Sequence, residues 1–339
     1  MCTSITLTST EGRVFYGRTM DLNLGMFGED PGTDATSIVN IPQGVRIDSQ
    51  LEPWTAKYAA IGVGGRDSFY LYDGVNEHGL AGDVQVLMEA THATADSLKD
   101  RNLKGLLGEE FVTFVLTNFK SVADIKEHIG EYALLDQPSV SGDQSMELPL
   151  HYTFFDETKA GVVLEPTDNG AFKLYDSIGV MTNSPEYDWH LTNIRNYISL
   201  DNLDPKKPKS VSANLTLQPI EAGTGYGMFG LPGDYTAPSR FVRATMLANH
   251  LDAFPAYQGL NQLYGVFRSV MVPRGLEKEA ADNPLSDCTR YWAGYDLTQR
   301  RLCVQSCRGL AFTAQTLKAQ GETITFTPID VSDHLHSLD

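Results

Sequence analysis

The 339-residue sequence predicts an α+β fold, and three features carry that reading. Strand-forming runs joined by short turns open the chain, helical periodicities follow in blocks, and strands return near the end. That order describes layered antiparallel sheets rather than an alternating α/β chain. A content of 42% apolar and 20% charged residues is that of a globular protein, and no Pro/Gly/Ser-rich linker or block of like charge divides it. One domain over 2–339 is therefore expected, Met1 being removed.

Residues 3–8 and 13–19 are β-prone runs around Ser9-Thr10-Glu11-Gly12, a hairpin that starts almost at the first residue. With its turn closed at 10–12, antiparallel pairing sets Arg18 level with Cys2 to Ser4, and Asp21 just past the strand end beside the terminus. A slip of one residue reverses every facing, so the pattern leaves open which side each residue takes. Further strands are expected at 59–63, 69–72, 79–87, 151–155, 161–164, 171–175 and 179–182, several joined by turns as short as Asp156-Glu157-Thr158-Lys159. Helical spacing covers 109–118 and 122–132, the second opened by the capping pattern Ser121-x-x-Asp124. Helices are also expected at 189–200, 239–252 and 257–270, and strands at 290–297, 301–305 and 323–327.

With 26 basic and 43 acidic residues the formal charge is −17, which repels phosphate backbones and anionic bilayers. Neither nucleic acid nor membrane is an expected partner; the expected ligand is a small molecule. The start lacks the basic and apolar segments of a secretory signal, and no apolar run approaches the ~18 residues of a membrane span, so a cytoplasmic protein is expected. Of four cysteines, Cys288, Cys303 and Cys307 read as core residues or inert thiols, because the Cys303/Cys307 spacing lacks the second pair or histidine of a zinc site. His334 and His336, in a polar tail, read as solvated. No metal and no cofactor is expected. Gly225-Tyr226-Gly227-Met228-Phe229-Gly230 spells a dinucleotide fingerprint, yet no strand leads into it and Leu231-Pro232 follows where a helix should begin. It reads as a tight loop.

Cys2 is the principal candidate residue. Trimming of an initiator methionine ahead of so small a residue leaves a thiol and a free α-amine together. That amine titrates at roughly 7.7 to 8.0 and can act as the base for its own thiol. On position alone, a second residue is ordinarily part of a frayed terminus. A papain-like pairing of Cys2 with His151 or His190 is disfavoured, since that arrangement sets its cysteine at the start of a helix and Cys2 begins a strand.

Met1-Cys2-Thr3-Ser4 with Gly17-Arg18-Thr19-Met20-Asp21, then Tyr72-Asp73-Gly74-Val75-Asn76-Glu77-His78-Gly79-Leu80, resembles the choloylglycine hydrolase family, which includes penicillin V acylases and conjugated bile salt hydrolases. Pro149-Leu150-His151-Tyr152-Thr153, Gly179-Val180-Met181-Thr182-Asn183-Ser184-Pro185 with Trp189-His190-Leu191-Thr192-Asn193, and Gly230-Leu231-Pro232-Gly233-Asp234-Tyr235-Thr236 with Ser239-Arg240-Phe241 continue it in the family's order. The resemblance implies a four-layer αββα N-terminal nucleophile hydrolase sandwich of two antiparallel sheets. It implies that Cys2 is the nucleophile of an acyl-thioester mechanism, with Arg18 beside the thiol, where fixed positive charge favours thiolate. Asp21 would orient the α-amine, Asn183 would supply a side-chain N–H to the oxyanion hole, and Arg240 would hold the catalytic groups.

The remaining oxyanion donor, a backbone N–H, falls at Val86. Penicillin V acylases typically carry tyrosine there and bile salt hydrolases asparagine; a main-chain donor is independent of that side chain. Asn76 is better explained by turn chemistry than by catalysis. The loop over 22–36 looks longer than the family's, and Leu24, Met26 and Phe27, with Met20, are expected to line an apolar, substrate-binding mouth. The resemblance thus implies an N-terminal cysteine amidohydrolase cleaving a linear N-acyl amide, assembled as a homotetramer. Leu87-Met88-Glu89-Ala90-Thr91-His92-Ala93-Thr94 leans toward the penicillin V acylases. Conjugated bile salts come next, then acyl-homoserine lactones, then a non-catalytic binding homologue of which Val86 would be a symptom.

Overall fold

A computed structural model of the chain describes residues 1–29, 36–136, 139–141, 144–146, 148–278, 280–281 and 286–334. Residues 30–35 of the expected long loop, and His336, lie outside the described residues.

The N-terminal hairpin forms as its pattern requires. Cys2–Thr8 pairs antiparallel with Val14–Leu22, and the turn closes through the Ser9 N–H on Arg13 O at 2.9 Å with Gly12 at φ +82°. Cys2 stands opposite Met20 and Ser4 opposite Arg18, which settles the facing. Cys2, Tyr16 and Met20 join one core cluster, while Ile5, Leu7 and Phe15 join another on the reverse side. Asp21 lies within the strand and not past its end, because Cys288–Asp296 pairs along the other edge as far as Leu22.

The hairpin is the centre of a six-stranded antiparallel sheet, ordered Val180–Met181, Cys2–Thr8, Val14–Leu22, Cys288–Asp296, Arg301–Ser306 and Thr313–Thr316. A ten-stranded sheet faces it, ordered Thr325–Pro328, Thr36–Ile41, Ala60–Gly65, Leu71–Asn76, Ala81–Val86, Leu150–Phe155, Gly161–Asp168, Ala171–Asp176, Tyr132–Leu134 and Lys104–Leu106. Only the last pair in that order is parallel. Val14, Tyr16, Ile38, Val63, Val75, Phe155 and Tyr295 pack between the sheets. The helices Ala237–Asn249 and Gly259–Phe267 cover the outer face of the smaller sheet through Phe241, Leu263 and Phe267. Phe111–Asn118 and Val122–His128 cover the larger sheet through Phe111, Val115 and Ile125. The layers are α, β, β, α, as the resemblance implies.

Element ends differ where tertiary pairing overrides local periodicity. The helix expected over 122–132 stops at His128 and passes through a 3₁₀ turn, because Tyr132 begins a strand paired with Lys104–Leu106. The one expected over 189–200 is Tyr187–Asn193 followed by a 3₁₀ turn. Thr36–Ile41, Thr313–Thr316 and the Thr94-capped helix Ala95–Arg101 went unread. Gly225 and Gly230 sit at φ +81° and +96° around a 3₁₀ turn, with the Asp204 carboxylate accepting from the Gly225 and Gly227 N–H groups. The fingerprint-like text is a loop.

Candidate active site

Cys2 is 2% exposed at the start of its strand, and its position follows from the hairpin register. Across the strand pair, Arg18 Nη2 donates to Cys2 Sγ at 2.9 Å, while Met20 Sδ lies 3.9 Å from the sulfur. The Cys2 N–H donates to Asn183 Oδ1 at 2.7 Å. Arg240, fully buried in the first turn of its helix, donates from Nη2 to the same Asn183 oxygen at 2.8 Å and from Nη1 to the Cys2 carbonyl and to Thr3 Oγ1. Asn183 Nδ2 donates to Val86 O at 2.9 Å. The fold thus brings Cys2, Arg18, Asn183, Arg240 and the Val86 backbone together from five separate strands, loops and helices.

Asp21 is also fully buried beside the terminus. Its carboxylate accepts from Thr289 Oγ1 at 2.5 Å and Thr19 Oγ1 at 3.2 Å, while its backbone carbonyl accepts from the Met1 ammonium at 2.6 Å. Asp287 stands 3.7 Å from that ammonium. Burial raises the Asp21 pKa, against the pull of Arg240 and the chain terminus. Burial also lowers the Arg240 pKa, opposed by Asp21 and Cys2.

Of the residues expected to line a mouth, Met20 touches the nucleophile. Met26 and Phe27 are packed away at 7% exposure, Phe27 edge-on to Tyr291, and line a cavity of about 550 Å³ with Arg66, Phe326 and Ile329 that does not include Cys2. Leu24 is 54% exposed. The Val86 side chain packs toward the outer helices, so it is the backbone of that residue that reaches the site. Asn76 ends its strand and makes the turn: its Oδ1 accepts from the His78 and Leu80 N–H groups and its Nδ2 caps the Leu116 and Phe119 carbonyls.

Neither His151 nor His190 reaches the sulfur as a base. His190 donates from Nε2 to Asn183 O at 2.8 Å, stacks on Phe241 at 4.6 Å, and has its pKa pushed down to about 4 by burial. It is a support of the asparagine that the sequence did not assign. Burial raises the Cys303 thiol to about 11 and raises Cys288 as well; Cys307 is exposed and not a core residue, its sulfur 3.2 Å from Glu29 Oε1, and partial desolvation with that carboxylate raises it to about 12, so all three thiols are held toward their protonated form. Among the described residues no group of three or more His, Cys, Asp or Glu side chains could hold a metal ion.

The sequence also missed Asp73 and Asp83, both fully buried against Arg18, at 3.3 Å and 3.8 Å. Their signal was available: a charged residue at an inward position of a buried strand is rare unless paired.

A strand-borne sulfur with an arginine donor, next to an asparagine that bridges its backbone nitrogen and a second arginine, suits nucleophilic attack on a carbonyl. Residues 2–309 match the family of linear amide C–N hydrolases, choloylglycine hydrolase family. The chain belongs to that family. It is accordingly a hydrolase of carbon–nitrogen bonds in linear amides, and the αββα layering is the N-terminal nucleophile hydrolase sandwich. Among choloylglycine hydrolase relatives, it is 29% identical to a bile salt hydrolase/transferase of Clostridium perfringens, over 86% of this chain and 84% of that one. It is 30% identical to a bile salt hydrolase/transferase of Bifidobacterium longum subsp. longum, over 82% and 84%. A crystal structure of a variant conjugated bile acid hydrolase from Clostridium perfringens superposes with a TM-score of 0.85 over 100% of both chains at 24% identity, a likeness of fold. The penicillin V acylase of Pectobacterium atrosepticum is 30% identical over only 41% of this chain and 38% of its own. The relatives thus favour the bile salt hydrolases over the penicillin V acylases toward which residues 87–94 lean. In the structure those residues are the connection between Ala81–Val86 and Ala95–Arg101, with Met88 70% exposed.

Proposed function

We propose that this choloylglycine hydrolase family member cleaves the amide of a conjugated bile salt, an apolar acyl group joined to a small amino acid, once Met1 has been removed. The contact of the Cys2 nitrogen with Asn183 Oδ1, while the Cys2 sulfur sits on Arg18, supports Cys2 as the nucleophile, and the bile salt hydrolases matched over four-fifths of the chain support the substrate. Loss of Met1 turns that nitrogen into the α-amine. The amine takes the thiol proton as sulfur attacks the amide carbonyl, and the oxyanion is received by the second Nδ2 hydrogen of Asn183 and the Val86 N–H. It then protonates the leaving nitrogen, giving a thioester, and finally deprotonates the water that releases the acid. Asp21, whose backbone carbonyl accepts from the Met1 ammonium, would hold the new amine.

Processed protein, with its terminus verified by intact mass, is to be incubated with glycocholate and with penicillin V beside Cys2→Ala and Cys2→Ser. Glycine release from glycocholate that vanishes in Cys2→Ala is the expected result. Cleavage of penicillin V alone overturns the substrate reading, and tight binding of glycocholate without cleavage of either compound favours a non-catalytic homologue.

The chain also reads as a cytoplasmic homo-oligomer built from one domain. The inter-sheet core runs from Cys2 to Ile329, and the four cysteines are free. Ile198, Leu203, Ile220 and Phe229 are 90%, 73%, 71% and 81% exposed on one excursion that carries the hairpin Lys209–Ser212 and Leu215–Leu217. Apolar area of that kind is usually covered by a partner, and a second copy is the occupant proposed.

A further inference from the structure

Asp73 and Asp83 stand directly opposite one another on the antiparallel strands Leu71–Asn76 and Ala81–Val86. Like charges in that relation repel, and both carboxylates are fully buried between the sheets. What separates them comes from the other sheet. Arg18 puts Nη1 3.3 Å from Asp73 Oδ2 and Nε 3.8 Å from Asp83 Oδ2.

The two carboxylates are held unequally. Asp73 accepts from the phenols of Tyr291 and Tyr295 in addition to Arg18, and burial raises its pKa. Asp83 accepts from Ser4 Oγ and more distantly, at 3.4 Å, from Gln85 Nε2, which itself donates to Ser4. The Tyr16 phenol stands beside Asp83 as well, its pKa raised well above the ordinary value by burial and by that carboxylate, while Gln85 Oε1 has no hydrogen-bond partner. Arg18 Nε gives its one hydrogen to the Thr19 carbonyl at 3.1 Å, so it meets Asp83 through charge and not through a hydrogen bond; Nη1 also reaches the Tyr72 carbonyl and the Tyr291 hydroxyl, and Nη2 the Val84 carbonyl and Cys2 Sγ. Burial alone would depress its pKa, but Tyr291, Cys2, Asp83 and Asp73 together hold it well above the ordinary value. On the far side of Cys2, Met20 lies against the sulfur, Arg240 donates to the Cys2 carbonyl, and Asp21 accepts from the Met1 ammonium through its backbone. One guanidinium therefore serves two carboxylates and a thiol, and what one anion gains the others lose.

We propose that Asp83 is a positioning residue for the nucleophile, competing with the Cys2 sulfur for Arg18 and so setting the pH range in which the thiol reacts. This rests on the proposed role of Cys2. Its sign is fixed by charge. D83N removes one negative charge facing Arg18 and leaves more of its field for the sulfur. Ser4→Ala does the opposite, because a carboxylate that loses its hydroxyl donor leans harder on Arg18.

The test is the rate at which iodoacetamide alkylates Cys2, the thiolate displacing iodide as the S–C bond forms, followed on the N-terminal peptide by mass spectrometry between about pH 5 and 10. Processed wild type, D83N, Asp83→Ser and Ser4→Ala are compared, each with a thermal melt to verify folding. The midpoint is expected to fall by about one pH unit in both Asp83 variants and to rise by a fraction of a unit in Ser4→Ala. A folded Asp83 variant whose midpoint stays at the wild-type position overturns the proposal. Should neither Asp83 variant fold, an unmoved or lowered midpoint in Ser4→Ala does so. Failure of the underlying reading is separable: alkylated Cys2 with undiminished glycocholate hydrolysis removes the nucleophile role, whatever the midpoints do.

Discussion

The Asn183 side chain uses both of its polar atoms, Oδ1 accepting from the Cys2 nitrogen and Arg240, and Nδ2 donating to Val86 O. Removing the amide therefore removes the proposed oxyanion donor and a structural acceptor together. Asn183→Ala is expected to cut kcat by about 10²- to 10³-fold and to lower the melting temperature, since Arg240 loses a buried partner. Asn183→Asp keeps the acceptor and lacks the donor, so kcat on glycocholate should fall comparably with the melting temperature largely retained. His190 supplies a second check at this scale. Burial holds its pKa at about 4 against an ordinary 6.5, so as pH falls the unfolded chain takes up the proton first. Its contribution is complete above about pH 6.5 and lost as pH falls toward 4, roughly 3 kcal/mol in all. His190→Gln keeps an N–H for Asn183 O without titrating; in urea unfolding it should lose less stability than wild type between about pH 7 and pH 4.5. Cys2, Arg18, Asn183 and Arg240 were legible as text because each lies in a short distinctive string. Asp73 lay inside such a string unassigned, and Asp83 in none, because their roles exist only across two sheets.

At the scale of elements, the hairpin fixes the site. Its two strands were readable from β-prone runs around a Gly-containing turn, but their facing was not, since alternation alone permits either register. Packing on both sides chooses it. Gly17, beside Arg18, shows how closely: a Cβ there would meet Ala293 O at 2.8 Å and Leu263 Cδ2 at 2.9 Å. Gly17→Ala is expected to push the Gly259–Phe267 helix off the strand and destabilise the fold by about 1–3 kcal/mol, read as a lower urea midpoint with an unchanged slope. Helix ends were less legible, because 3₁₀ turns such as Ile129–Glu131 hand the chain to a strand whose partner is distant in sequence.

At the scale of the molecule, the exposed residues Ile198 and Phe229 belong to the excursion proposed to meet another copy. Ile198→Asp with Phe229→Asp is expected to shift sedimentation to the monomer while leaving the fold's circular dichroism unchanged; wild-type protein that already sediments as a monomer removes the oligomer reading. The net charge of −17 gives copies no electrostatic reason to associate, so apolar contact must supply the attraction. The layered fold class, the hairpin and the order of the site strings were determined by the sequence alone, since turn residues, periodicity and short motifs are local properties of a chain. Only the tertiary structure decided the register that turns Cys2 and Arg18 inward, the meeting of Asp73 and Asp83 on one guanidinium, and the seating of Asn183 on the Cys2 nitrogen. Those depend on contacts between residues far apart in the chain, which close packing of two sheets specifies and local pattern does not.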